Sequence, residues 1–154
     1  ITAVLRRFAK AAGVSVAAVY GGVDKTAQYR ELRAGVDAIV ATPGRLIDVL
    51  KGKATDLYRV SYLVLDEADS MLAMGFAPQV RAIVGRCRPD RQTLLFLATM
   101  PPKLDALARD ALREPLRIAV GGAARGAASA SVEQRFRIMP DAGGHTVYDR
   151  LIAR

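Results

Sequence analysis

The chain has 154 residues and a net charge of +8, from 23 Lys plus Arg against 15 Asp plus Glu. That length suits one domain with a substantial core, and the basic balance suits a polyanionic partner without specifying one. Cys87 and His145 are the only residues of their kinds, which excludes an intrachain disulfide and a Cys/His zinc cluster. A reducing, intracellular setting is therefore expected, with no compartment singled out, and no apolar run approaches the roughly 20 residues that span a bilayer.

Residues 2 to 12 place Val4, Leu5, Phe8, Ala9 and Ala12 on one helical stripe, ended by Gly13. The opening Ile-Thr-Ala-Val has no initiating Met and no signal-peptide architecture. It reads as the middle of a helix, so a piece of a longer protein is expected. Val14 to Tyr20 reads as a strand broken by Gly21-Gly22, and Asp24 to Ala34 as a helix. Asp37 to Ala41 is the next strand, after which Thr42 can cap a helix with Pro43 at its first position. Tyr62 to Leu65 has the apolar run of a strand buried on both faces.

A short helix through Met71 and Leu72 follows, then one over Pro78 to Gly85, a strand over Thr93 to Ala98, and a helix over Pro102 to Leu112. Leu116 to Val120 reads as a fifth strand. Five apolar strands alternating with helices predict an α/β fold, a parallel sheet wrapped by helices on both faces. Gly121 to Ser131 is Gly, Ala and Ser apart from Arg125 and reads as a linker. A strand over Val132 to Met139 and a helix over Thr146 to Ala153 complete the chain. Near the middle, Arg81, Arg86, Arg88 and Arg91 read either as a phosphate-facing patch or as a solvated helix face.

Three carboxylates, Asp66, Glu67 and Asp69, follow the Tyr62–Leu65 run directly. Acids beyond the carboxyl end of a strand in an open α/β sheet face a ligand crevice. Mg²⁺ takes one or two such carboxylates together with phosphates, and a neighbouring acid can orient a water. The same acids would also suit the first turn of a helix. Thr42-Pro43-Gly44-Arg45 has a second physical reading. A helix N-terminus suits a phosphate, Gly44 permits close approach and Arg45 adds a bidentate donor.

Val64-Leu65-Asp66-Glu67-Ala68-Asp69 resembles the Walker B element of the DEAD-box RNA helicases. Tyr20-Gly21-Gly22, Ala41-Thr42-Pro43-Gly44-Arg45 and Phe96-Leu97-Ala98-Thr99-Met100-Pro101 resemble that family's glycine-pair, Thr-Pro-Gly-Arg and Ser-Ala-Thr elements, in the same order. The resemblance implies a RecA-like first domain over residues 1–120, incomplete at its N-terminal side, a linker over 121–131 and the start of a second RecA-like domain over 132–154. It implies ATP hydrolysis with Mg²⁺ coupled to local RNA duplex separation. Asp66 would hold Mg²⁺ through water, Glu67 would position the attacking water, and Asp69 would hydrogen-bond to the Ser-Ala-Thr element. Gly21, Gly22, Thr42, Pro43, Gly44 and Arg45 would contact the RNA backbone.

Leu97 stands where the family pattern has Ser and can neither donate nor accept a hydrogen bond, leaving Thr99 to keep the link to Asp69. No Gly-x-x-x-x-Gly-Lys-Ser/Thr loop occurs in the sequence: Gly52-Lys53 is followed by Ala54 and preceded by Ile47 at the required glycine position. This chain alone is therefore expected to be inactive toward ATP. Two other readings fit the same residues: a truncated, non-catalytic RNA-binding or partner-binding domain, and a P-loop ATPase acting on DNA.

Overall fold

A computed structural model of the chain describes residues 1–120. Helix α1 runs over Thr2–Ala12 and stops at Gly13, whose φ of 67° is the left-handed conformation glycine adopts without strain. Strand β1 is Val16–Val19, helix α2 Thr26–Arg33, strand β2 Ala38–Ala41 and helix α3 Pro43–Lys51. Strand β3 is Tyr62–Leu65, followed by helices α4 (Ala68–Ala73) and α5 (Ala77–Val84), strand β4 (Gln92–Leu95) and helix α6 (Pro102–Ala111).

The strands pair in parallel, β1 with β2 and β3 with β4. Each pair is joined by a helical crossover, as parallel strands require. Val16 stands opposite Ala38 in the first pair, and Tyr62 opposite Gln92 in the second. Among the described residues these are two two-stranded sheets, not one five-stranded sheet. Leu116 to Val120 is not a strand. Among the described residues nothing pairs with it, and Leu116, Ile118 and Val120 are all exposed; a run of β-prone residues makes a strand only when a neighbour supplies the ladder.

Two apolar clusters hold these residues together. The first gathers Ala17, Val19, Leu32, Leu46, Val49, Leu57, Ile83 and Cys87. The second gathers Leu65, Ala68, Val80, Val84, Leu104, Leu107 and Ala111, and Leu63 packs against both. Leu104, Leu107, Val19, Val49 and Val80 are fully buried, each contributing about 1.5–3 kcal/mol by leaving water. On α6 the period of Leu104, Leu107 and Ala111 explains which side turns inward.

Two expectations of burial fail. Strand β3 is covered on one face only, since Tyr62 and Val64 are exposed while Leu65 is buried. The stripe on α1 is likewise mostly open: Ala9 is buried, but Val4 and Phe8 are not. An apolar sequence pattern records which side is suited to burial, and no described element covers these two.

The arginines near the middle of the chain are tied to their own surroundings. Arg81 pairs with Asp110 at 2.7 Å and Arg88 with Asp90, while Arg86 and Arg91 donate to the Ala82 and Arg88 carbonyls. These partners support the reading of that run as a solvated surface face. The expected linker over 121–131, strand over 132–139 and helix over 146–153 lie outside the described residues.

Candidate functional site

Each of the four strands runs out at its carboxyl end directly into one of the four sequence motifs. Strand β1 ends at Val19 before Tyr20-Gly21-Gly22, and β2 at Ala41 before Thr42. Strand β3 ends at Leu65 before Asp66, and β4 at Leu95 before Phe96. In α/β proteins this is the end of the strands at which ligands bind.

At the second pair, the chain leaves β3 through a tight turn. Asp66 accepts a hydrogen bond from the Glu67 backbone at 3.0 Å through one carboxylate oxygen. Glu67 has φ 51° and ψ 45°, a left-handed conformation that costs a non-glycine residue about 1 kcal/mol. The turn brings the Ala68 N–H to the Phe96 carbonyl, 3.1 Å away, and so ties the exit of β3 to the exit of β4. Asp69, in the first turn of α4, accepts two hydrogen bonds on Oδ2, from the Thr99 backbone at 2.8 Å and from its hydroxyl at 2.9 Å. Those donors favour the carboxylate form and hold the Asp69 carboxyl below its ordinary range, the Thr99 backbone N–H contributing most.

Asp66 and Glu67 are exposed. Among the described residues, no group of three or more His, Cys, Asp or Glu side chains is placed to share a metal ion. Asp66 offers one carboxylate oxygen beyond the one held by Glu67. That donor set fits a Mg²⁺ ion whose other positions are filled by phosphates and water, the usual manner in which Mg²⁺ is bound at nucleotide sites.

Leu97, between Phe96 and Thr99 in the chain, packs half-buried on the rim of the second cluster, as do Met100 and Leu95. Where a Ser would offer a hydroxyl, this chain gains apolar contact instead.

At the first pair, the glycine loop and the Thr-Pro-Gly-Arg turn are linked. Arg45 donates from Nη2 to the Val23 carbonyl at 2.9 Å, one residue beyond the glycine pair. Its Nη1 is buried without a hydrogen-bond partner. Arg45 is thus held by the chain on one side, which the sequence did not suggest. Thr42 stands at the N-cap of α3 with extended backbone, but its side chain makes no capping bond; its N–H instead donates to the Val19 carbonyl at 2.9 Å, tying the exits of β1 and β2. Pro43 takes the first helical position, where its missing N–H leaves nothing unpaired.

Glycine is not demanded by crowding here. A Cβ built at Gly21, Gly22 or Gly44 would meet no atom within 4 Å, although Gly22 has a φ of +82° that favours glycine. Gly44 lies in the first turn of α3 with no positive φ and open space before it.

Gln28 was not apparent from the sequence. It is the buried polar residue of α2 and brackets Tyr20, accepting from the Tyr20 N–H at 3.2 Å and donating to the Tyr20 carbonyl at 3.1 Å. Its only sequence signal is its place four residues before Leu32, on the side of α2 that faces the core.

Acids, a left-handed turn and two glycine-bearing loops stand at the carboxyl ends of parallel strand pairs in this α/β protein. Residues 1–107 match the family described as DEAD/DEAH box helicase. The chain is 54% identical over 135 residues to DEAD-box ATP-dependent RNA helicase 24 of Oryza sativa subsp. japonica, covering 88% of this chain and 17% of that protein. It is 56% identical over 135 residues to the protein of the same name from Arabidopsis thaliana, again covering 88% of this chain and 18% of the relative.

Among solved structures it resembles a hypothetical ATP-dependent RNA helicase from Sulfolobus tokodaii, with a TM-score of 0.68 and 33% identity over 73% of this chain and 34% of that one. The yeast DEAD-box splicing factor Prp28 superposes with a TM-score of 0.62 at 38% identity, over 66% of this chain and 24% of that one. The chain belongs to the DEAD/DEAH box helicase family, and its fold is the RecA-like α/β fold of those neighbours. It spans less than a fifth of the length of the rice and Arabidopsis relatives.

Proposed function

We propose that the protein carrying this chain is an ATP-dependent RNA helicase, coupling RNA-stimulated ATP hydrolysis to local separation of RNA duplexes. The observation that carries this reading is the meeting of four motifs with the carboxyl ends of the strands in two parallel pairs. In this reading residues 1–120 belong to the first RecA-like domain, 121–131 form a linker and 132–154 open a second RecA-like domain.

Asp66 would hold Mg²⁺ by its free carboxylate oxygen, through water. A bound Mg²⁺ would supply charge neutralisation to the phosphates of ATP. Glu67, fixed by the left-handed turn, orients the attacking water. Asp69 stays ionised through Thr99 and keeps the segment after β4 in register with the acids. Gly21, Gly22, Thr42, Pro43, Gly44 and Arg45 grip the RNA backbone without reading its sequence. Open space at Gly21 and Gly44 supports this, since among the described residues no atom would crowd a side chain there.

The test is ATP turnover by the full-length protein with and without single-stranded RNA. RNA should stimulate turnover, Glu67→Gln should abolish it, and the 154-residue chain alone should show none above background. Salt-sensitive RNA binding by the full-length protein with no ATP turnover under any condition would replace this reading with that of a non-catalytic RNA-binding domain.

A further inference from the structure

Helix α2 follows the glycine loop, and one side of it carries Lys25, Thr26, Tyr29, Arg30 and Arg33. These five residues line an open cavity of about 380 Å³. Three of the five are cationic and none is acidic, and Lys25, Arg30 and Arg33 are all exposed. Among the described residues none of the three forms a salt bridge. The nearest acids in sequence are otherwise engaged: Glu31 pairs with Arg6 at 3.2 Å, and Asp24 accepts from the Thr26 hydroxyl at 3.1 Å.

The cations are arranged around a fixed ring. The Tyr29 hydroxyl donates to the Asp48 carbonyl at 3.1 Å, and the end of its ring occupies the space where a Cβ at Gly52 would stand. Lys25 Nζ and Arg33 Cζ each lie 5.8 Å from the ring centroid, inside the range over which an aromatic face attracts a cation. Tyr29 thereby spaces two positive charges along the helix without neutralising either. From Lys25 to Arg33 is eight residues, about 12 Å of helix, a length that meets a succession of backbone phosphates and not a single ion.

The row also begins at the glycine loop. Lys25 is three residues beyond Gly22, Gln28 of the same helix brackets Tyr20, and Arg45 holds Val23 between them.

We propose that the Lys25–Tyr29–Arg30–Arg33 face of α2 binds phosphates of an RNA strand, lengthening the contact made at Gly21, Gly22 and Arg45. This rests on reading those loops as RNA contacts. The interaction is electrostatic and indifferent to base sequence, and it engages only strands long enough to pass from the glycine loop onto α2.

The experiment is fluorescence anisotropy of the full-length protein with a short and a long labelled oligouridine across a range of salt concentrations. Each phosphate contact on a single strand contributes about −0.7 to the slope of log affinity against log salt. The Lys25→Gln/Arg30→Gln/Arg33→Gln variant should flatten that slope by about 2 and bind the long strand roughly tenfold more weakly at low salt, with the short strand unaffected. The charge-preserving Lys25→Arg/Arg30→Lys/Arg33→Lys variant should retain the wild-type slope.

An unchanged slope in the Gln variant, alongside weaker binding by Arg45→Ala, would overturn this inference and leave the loop reading intact. A charge-preserving variant that binds as poorly as the Gln variant would overturn the electrostatic basis. If the Gln variant lost only binding to polyglutamate, the face would serve an acidic protein partner instead. Salt-independent RNA binding by the wild type would overturn both this inference and the reading it rests on.

Discussion

Thr99 donates both its backbone N–H and its hydroxyl to a single oxygen of Asp69, at 2.8 and 2.9 Å. Donation to the charged form lowers the Asp69 pKa, and the backbone N–H is the larger cause. The sign follows: because the folded pKa is depressed, the link's contribution is present above the ordinary aspartate range and is lost as pH falls through the folded value. Thr99→Val removes the hydroxyl and keeps the backbone donor. It should raise the Asp69 pKa part of the way toward its ordinary value, as read from an NMR titration of the Asp69 carboxyl. A titration curve that does not move would show that the hydroxyl contributes nothing in solution.

Gly44 sits inside α3 with open space where a Cβ would be. Ala is the better helix residue, so Gly44→Ala should stabilise the fold by about 0.5–1 kcal/mol. If Gly44 is glycine because RNA comes close, the same variant should lose RNA affinity. Thermal denaturation and RNA titration on one preparation test both halves, and a variant that gains stability with unchanged RNA affinity would remove close approach as the reason for Gly44.

Leu97 gives the second cluster part of its rim. Replacing this half-buried side chain by Ser should cost about 1 kcal/mol, read as a lower denaturation midpoint. The resembled family pattern has Ser there, so on the proposed helicase function Leu97→Ser in the full-length protein should also raise the amount of duplex separated per ATP consumed. Equal coupling in the two proteins would mean that Thr99 suffices on its own.

Gln28 satisfies both backbone groups of Tyr20. Gln28→Leu leaves those groups without their partner and should cost about 1–3 kcal/mol. It should also weaken RNA binding by releasing the glycine loop. Normal stability in the variant would imply that water replaces the side chain at no cost.

Much of this was legible in the sequence because local signals and tertiary packing agree. Gly13 ends α1, Pro43 opens α3 and the four-residue run Tyr62–Leu65 is β3. Asp69 and Thr99, thirty residues apart, do meet. What was not legible depends on neighbours that a linear pattern does not name. Among the described residues, Leu116 to Val120 has strand composition and no partner, and Tyr62 and Val64 have core composition and no cover. Arg45 was read for its charge, but its hold on Val23 exists only because two loops 22 residues apart end side by side.

Leu63 packs against both apolar clusters from the middle of β3, two strand positions before the chain turns into the acids. Most core positions answer to one set of neighbours and can be repacked with them. Position 63 must satisfy two sets at once, so a change that suits one cluster leaves a gap or a collision in the other. A truncation at Leu63 should therefore loosen both clusters together, whereas one at Val49 or Leu104 disturbs chiefly its own cluster.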